Sequence, residues 1–174
     1  MGNTVRLIKP TPELEKEYKD FYREWKGSGE AMIPWVIEKD PTDFLEMVRF
    51  LQNNEQGIGI PEGWVCDSTY WLVNEGNRIL GAVNIRHGLT EHLFNCGGHI
   101  GYGIRPSERR KGYATKILAV SLKVSRELGI EKVLVVCDES NIASARTIMK
   151  NGGVEDRSFT EGDGNVVRRF WIER

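Results

Sequence analysis

Three consecutive segments restrict the fold more than any other part of the chain. HIGYGI (99–104) alternates apolar residues with glycine, RPSERRKGYAT (105–115) is a basic turn rich in small residues, and KILAVSLKVSREL (116–128) spaces its apolar residues as a helix does. Gly129 then supplies a helix stop, and IEKVLVVCD (130–138) reads as a β-branched strand. Strand, helix, strand in that order predicts a right-handed crossover with the two strands parallel. The turn between them is the place to look for function. A helix N-terminus leaves backbone N–H groups without intrahelical acceptors and carries partial positive charge, so an open one can hold a phosphate or diphosphate. Gly112, Ala114 and Thr115 keep bulk low there, while Arg109, Arg110 and Lys111 concentrate positive charge. A solvated basic turn would look the same in isolation, since Arg and Lys are ordinary surface residues.

The rest of the chain supplies more strands and helices. VRLIK (5–9) predicts a first strand, and Pro10-Thr11-Pro12-Glu13 opens a helix that ends at Gly27. Leu14, Tyr18, Phe21, Tyr22 and Trp25 fall on one face of that helix, which marks them as core. Asp40-Pro41-Thr42 starts a second helix, with Phe44, Leu45, Val48 and Leu51 expected on its buried side. YWLVN and RILGAVNIRH flank Glu75-Gly76-Asn77 as a hairpin. Asn141 opens a last helix that ends at Gly152-Gly153, and a second hairpin turns around residues 161–164. No linker or repeat divides residues 1–174, so one domain is expected.

Composition excludes several classes of function. A formal net charge of −1 gives no global attraction for nucleic acid, so any anion site must be local. No apolar run is long enough to span a bilayer and the polar N-terminus lacks a signal-peptide core, which together predict a cytoplasmic protein. Cys66, Cys96 and Cys137 are odd in number, widely spaced and free of CxxC. That pattern predicts reduced thiols and no metal site. GxxxxGK[ST] and GxGxxG are both absent, so neither ATP nor NAD is indicated.

In this context HIGYGIRPSERRKGYAT resembles the central signature of the GNAT superfamily of acyl-CoA N-acyltransferases. The family pattern [Q/R]xxGx[G/A] reads here Arg109-Arg110-Lys111-Gly112-Tyr113-Ala114. The resemblance runs through VLVVCD, Asn141-x-x-Ser144 and the Gly152-Gly153 turn, covering residues 70–174. The first 69 residues agree only in their strand–helix–helix order. The resemblance implies an α/β GNAT fold, a mixed central sheet of about seven strands with helices on both faces. It also implies acetyl-CoA as cosubstrate, with its pyrophosphate on the amides of Arg110, Lys111, Gly112, Tyr113, Ala114 and Thr115 and its pantetheine along the strand ending at Ile104. Ile104 would contribute backbone N–H and C=O, and Asn141 and Ser144 would contact the pantetheine arm. Asn141 also suits a helix cap, and Ser144 a surface position.

The implied reaction is direct transfer of an acetyl group to a primary amine, which needs a base for the ammonium. His99 is the candidate base, although a strand-end histidine bonded to the backbone would be placed the same way. His87 and Glu91 follow the second hairpin strand and are candidate substrate residues, as are Trp71 and Trp35, whose alternative is core packing. Many relatives place an acidic Tyr four residues after the position of Ser144, where this chain has Ile148. That departure leaves open a non-catalytic acyl-CoA sensor, and RPSERRK leaves open a nucleic-acid binder with salt-sensitive affinity. The acidic first helix suits either a cationic acceptor or a solvated face. A small molecule or a peptide amine would serve as acceptor, and the chain would act as a monomer or homodimer.

Overall fold

The computed structural model describes residues 4–173, so the extreme ends of the expected domain lie outside the described residues. Seven strands and four helices follow the order β1 (Val5–Ile8), α1 (Glu15–Gly27), α2 (Phe44–Gln56), β2 (Asp67–Asn74), β3 (Ile79–Arg86), β4 (Ile100–Ile104), α3 (Tyr113–Glu127), β5 (Lys132–Asp138), α4 (Ile142–Lys150), β6 (Val154–Thr160) and β7 (Val166–Glu173). Local chemistry explains most of the boundaries. Asp43 caps α2 by accepting the Glu46 N–H at 3.1 Å, and Asn141 caps α4 by accepting the Ser144 N–H at 3.1 Å. A single π-helical turn, Leu93–Gly97, fills the connection between β3 and β4.

The strands form two antiparallel sheets instead of one mixed sheet. One has the order β1-β2-β3-β4 and the other β5-β7-β6. The expected ladder between β4 and β5 is therefore missing, and they meet at one end only. There the His99 N–H donates to the Leu134 carbonyl at 2.7 Å, and the Leu134 N–H donates to His99 Nδ1 at 2.9 Å. Beyond this clasp the two strands part, and β4 keeps an open edge.

Both faces of the four-stranded sheet are covered, because β2 sends alternate side chains to opposite sides. Trp71 and Val73 join α1 and α2 in one core, where Tyr18, Phe21, Met47 and Leu51 are buried. Leu72 joins α3 and α4 in the other, with Ile117, Leu118, Ala145 and Ile148. The expected buried side of α2 holds for Phe44, Val48 and Leu51, but Leu45 is 61% exposed and Met47 takes the inward position. The three-residue step from Phe44 to Met47 continues the buried stripe, whereas Leu45 lies about 100° round the helix from it.

Candidate active site

The basic turn divides into architecture and an open end. Arg105 is only 4% exposed and reaches back to α1, donating to Glu24 Oε2 at 2.5 Å, to Glu17 Oε1 at 2.8 Å and to the Ile79 carbonyl at 3.2 Å. Glu24 also accepts the Ser107 N–H at 2.8 Å. Burial alone would raise the Glu24 carboxyl, but these bonds from Ser107 and Arg105 hold it below its usual range. Two of the acids on the first helix thus brace the turn and are not free to attract a cationic substrate. Arg109 pairs with Glu30 and stacks over Trp25, and Lys111 pairs with Glu108 at 2.9 Å. Arg110 is exposed and has no ion pair among the described residues. Of the four basic side chains, three are already matched by carboxylates, which weakens any case for a nucleic-acid surface.

Past these pairs the backbone opens. Arg110 (φ 61°) and Gly112 (φ 83°) both take the left-handed conformation. A Cβ at Gly112 would meet nothing within 4 Å, so the space above the start of α3 is clear. No side chain caps the start of α3, and a helix N-terminus of that kind favours a negatively charged group nearby. Tyr113 is turned into the core and anchors the helix start, while Ala114 and Thr115 are half-buried. The residues expected to hold a pyrophosphate are therefore contiguous and presented through their backbone.

The open edge of β4 leads away from this turn. Arg86 N–H donates to the His99 carbonyl and Arg105 N–H to the Leu80 carbonyl. By antiparallel alternation, Gly101 and Gly103 bond to β3, and the backbone groups of Ile100, Tyr102 and Ile104 face the other way. The Ile104 carbonyl already accepts from Arg109 Nε at 3.1 Å, so its N–H is the group left for a ligand. Tyr102 approaches Ser144 across the gap, with hydroxyls 3.3 Å apart, and burial pushes the Tyr102 phenol up. Asn141 caps α4 beside them. Ile148 lies fully buried beneath, so the position that holds a Tyr in many relatives is here part of the core.

His99 does not suit the role of base. Nδ1 accepts the Leu134 N–H, so the neutral ring carries its proton on Nε2 and has no spare lone pair. Burial, with the Arg86 charge nearby, depresses its pKa to about 4. The residue is a structural clasp, the alternative that its strand-end position allowed. Trp71 is likewise removed from the substrate site. It is fully buried and stacked on Tyr18 with ring centroids 4.6 Å apart. His87 turns to Ser68, 2.7 Å from its hydroxyl, and does not meet Glu91.

Glu91 does line a cavity of about 650 Å³, together with Trp35, Glu62, Trp64, Asp67 and Arg86. Sheet register explains its floor, since Asp67 faces Arg86, Thr69 faces Asn84, and Asn84 faces Gly101 across neighbouring strands. Asn84 Nδ2 donates to Asp67 Oδ1 at 2.7 Å and to Thr69 Oγ1 at 3.2 Å. The Arg86 guanidinium covers Gly101, where an added Cβ would meet it at 3.1 Å, and also lines the cavity, so the cavity adjoins β4. Sequence reasoning missed Asp67, Asn84, Arg86 and Trp64. The one signal for the three polar ones was polar residues at every second position of two buried strands, which becomes visible only once the strands are in register, while Trp64 lies in the loop before β2. Among the described residues no group of three His, Cys, Asp or Glu side chains could hold a metal ion, and no helix is long and apolar enough to cross a membrane.

An open strand edge that ends at the uncapped start of a helix, with a separate cavity beyond it, fits the class of enzymes that take an acyl group from a coenzyme A thioester. The sequence fixes the family: residues 5–154 match the model described as acetyltransferase (GNAT) domain, and the chain belongs to that family of acyl-CoA N-acyltransferases. This match includes the first strand and both early helices, which motif reading tied to the family only by their order. No curated protein matches the sequence at a significant level. In fold the chain is similar to the acetyltransferase from Salmonella typhimurium that modifies the N-terminal serine of 50S ribosomal subunit protein L7/L12, with TM-score 0.69 and 14% identity over 99% of this chain and 96% of that one. It is similar to RimL, a ribosomal L7/L12 α-N-protein acetyltransferase in complex with coenzyme A, at TM-score 0.72 and 15% identity over 99% and 95% of the two chains. A dodecameric spermidine N-acetyltransferase from Vibrio cholerae gives TM-score 0.63 and 14% identity over 98% and 92%.

Proposed function

We propose that this protein transfers an acetyl group from acetyl-CoA directly to a primary amine. The observation that supports it most is the join between the uncapped start of α3 and the free edge of β4. The amides of residues 110–115 would hold the diphosphate, with Arg110 adding an exposed positive charge. The Tyr102 and Ile104 backbone would hold the pantetheine as an added strand, and Asn141 and Ser144 would close the far side. Arg109 and Lys111, already paired, would position the loop and leave the diphosphate to the backbone. Bound acetyl-CoA supplies an activated thioester whose thiolate can leave near neutral pH without an acid, because a free thiol has a pKa of about 8.5. Ile148 is therefore compatible with turnover.

The same reading takes the chain as one domain, its two cores sharing a sheet, and places it in the cytoplasm, where three unpaired cysteines stay reduced. No metal takes part. The acceptor is a small molecule or a peptide amine, and the enzyme acts as a monomer or homodimer.

A thermal shift tests the cofactor. Acetyl-CoA or coenzyme A at ~100 times its Kd is expected to stabilise the protein by ~2.7 kcal/mol, a rise of several degrees in Tm. ATP and NAD are expected to give no rise. A flat response to both coenzyme A compounds, or an equal response to ATP, would remove the cofactor assignment. Turnover with any amine then separates an enzyme from a sensor.

A further inference from the structure

The cavity beside β4 carries more information than its position. Its two ends differ in chemistry. At the mouth Trp35 and Trp64 stand edge to face with ring centroids 5.5 Å apart, 38% and 54% exposed. Exposed aromatic faces of this kind bind apolar groups and attract cations. At the floor lies Asp67, only 4% exposed, with one oxygen held by Asn84. Asn84 is fully buried, and its Oδ1 has no donor among the described residues. The Asp67 oxygen that Asn84 does not hold is thus the acceptor the cavity presents to a donor such as an ammonium group. Glu62 and Glu91 add negative charge along the wall against the single guanidinium of Arg86, so the field draws a cation inward.

We infer that this cavity is the acceptor site, that it takes an amine borne on an aromatic or apolar body, and that Asp67 receives the ammonium and then its proton. The inference rests on the proposed transfer reaction. The body packs against Trp35 and Trp64, and the nitrogen reaches Asp67 at the floor, where Arg86 joins the cavity lining to Gly101 of β4. An N–H bond of the ammonium breaks, its proton passes to a carboxylate oxygen of Asp67, and the bonding electron pair stays on nitrogen as the lone pair the reaction needs. Burial raises the Asp67 carboxyl above its usual value, against the opposing effects of Asn84, Arg86 and His87 and with a small addition from Glu55. A carboxylate of raised pKa is a better proton acceptor than an ordinary surface one. Asn84 is a positioning residue, since its amide fixes the carboxylate and leaves the second oxygen to the substrate.

Titration calorimetry with 2-phenylethylamine and its neutral analogue 2-phenylethanol, at neutral pH, tests the site without any cofactor. The amine is expected to bind tighter by about tenfold or more, the worth of a hydrogen bond to a charged group. Asp67→Asn keeps an acceptor for Asn84 and is expected to bring the two affinities together. Trp64→Ala, on an exposed side chain, is expected to weaken both probes alike and leave their ratio unchanged. Equal binding of the two probes to the unaltered protein, or a preference for the amine that survives Asp67→Asn, overturns the inference. So does an unchanged affinity for both in Trp64→Ala. Because coenzyme A is absent from these titrations, their result and that of the thermal shift fail separately.

Discussion

Arg105→Ala is expected to destabilise the protein by about 3–5 kcal/mol, the cost of removing one partner from a buried ionic group. The guanidinium bonds Glu17 and Glu24, which lie two turns apart on one face of α1, and also the Ile79 carbonyl. Alanine would leave two carboxylates and a carbonyl facing a hole that water reaches poorly. The damage would spread, because Glu24 also holds the Ser107 N–H at the approach to the basic turn. Arg105→Lys keeps the charge but not the planar fork, so a loss between those of alanine and wild type is expected. Urea denaturation measures it as a lower midpoint at unchanged slope. A loss below about 1 kcal/mol for the alanine variant would show the network to be solvated like an ordinary surface pair. Glu24 adds a pH term of known sign. Its folded pKa is depressed, so its contribution is present above the unfolded value near 4.5 and disappears as pH falls through the lower folded value.

His99 governs the next pH range up. Its neutral ring accepts the Leu134 N–H and joins the two sheets, so His99→Ala is expected to cost about 1–3 kcal/mol, the penalty of an unmet buried donor. Protonation would break the same bond. The folded pKa of about 4 lies below the unfolded value of 6.5, so the unfolded chain binds the proton first. Stability from this residue is therefore complete above pH 6.5, declines as pH falls from there towards 4, and is exhausted below. Asp67 works in the opposite sense, its raised pKa favouring the folded form as pH falls, so the two must be separated by mutation. His99→Asn offers an acceptor that does not titrate near neutrality. It is expected to keep much of the stability and to flatten the decline between pH 6.5 and 4.5, above the range where Glu24 acts. An unaltered decline in that variant would assign the pH dependence to other groups. Equal stability of His99→Ala and wild type would show the clasp to be dispensable.

These two residues mark the line between what a sequence carries and what it does not. Arg105 and His99 belong to the two segments that drew attention from the start, yet both are structural. Arg105 sits among functional-looking basic residues but finds its partners on α1, and nothing in RPSERRK distinguishes it from Arg110. His99 was placed correctly at a strand end, but its partner Leu134 lies 35 positions away, and only that contact decides which ring nitrogen is occupied. Asp67 is the converse case. Its role depends on Asn84 and Arg86, which reach it by the register of β2 on β3.

The sequence by itself determined the order of strands and helices, the caps and glycine stops that bound them, and the low-bulk turn that opens α3. Each of those depends on residues within a turn or two of one another, or on an apolar period that repeats along a single segment. The motif in its strand-and-helix setting was enough to identify the family. Tertiary structure alone decided that the sheet splits between β4 and β5, that Arg105 and Arg109 of the turn find carboxylates on or just after α1, and that a cavity opens over Asp67. Those outcomes depend on ion pairs, strand register and burial between residues far apart in the chain, and such pairings leave no local pattern from which to read them.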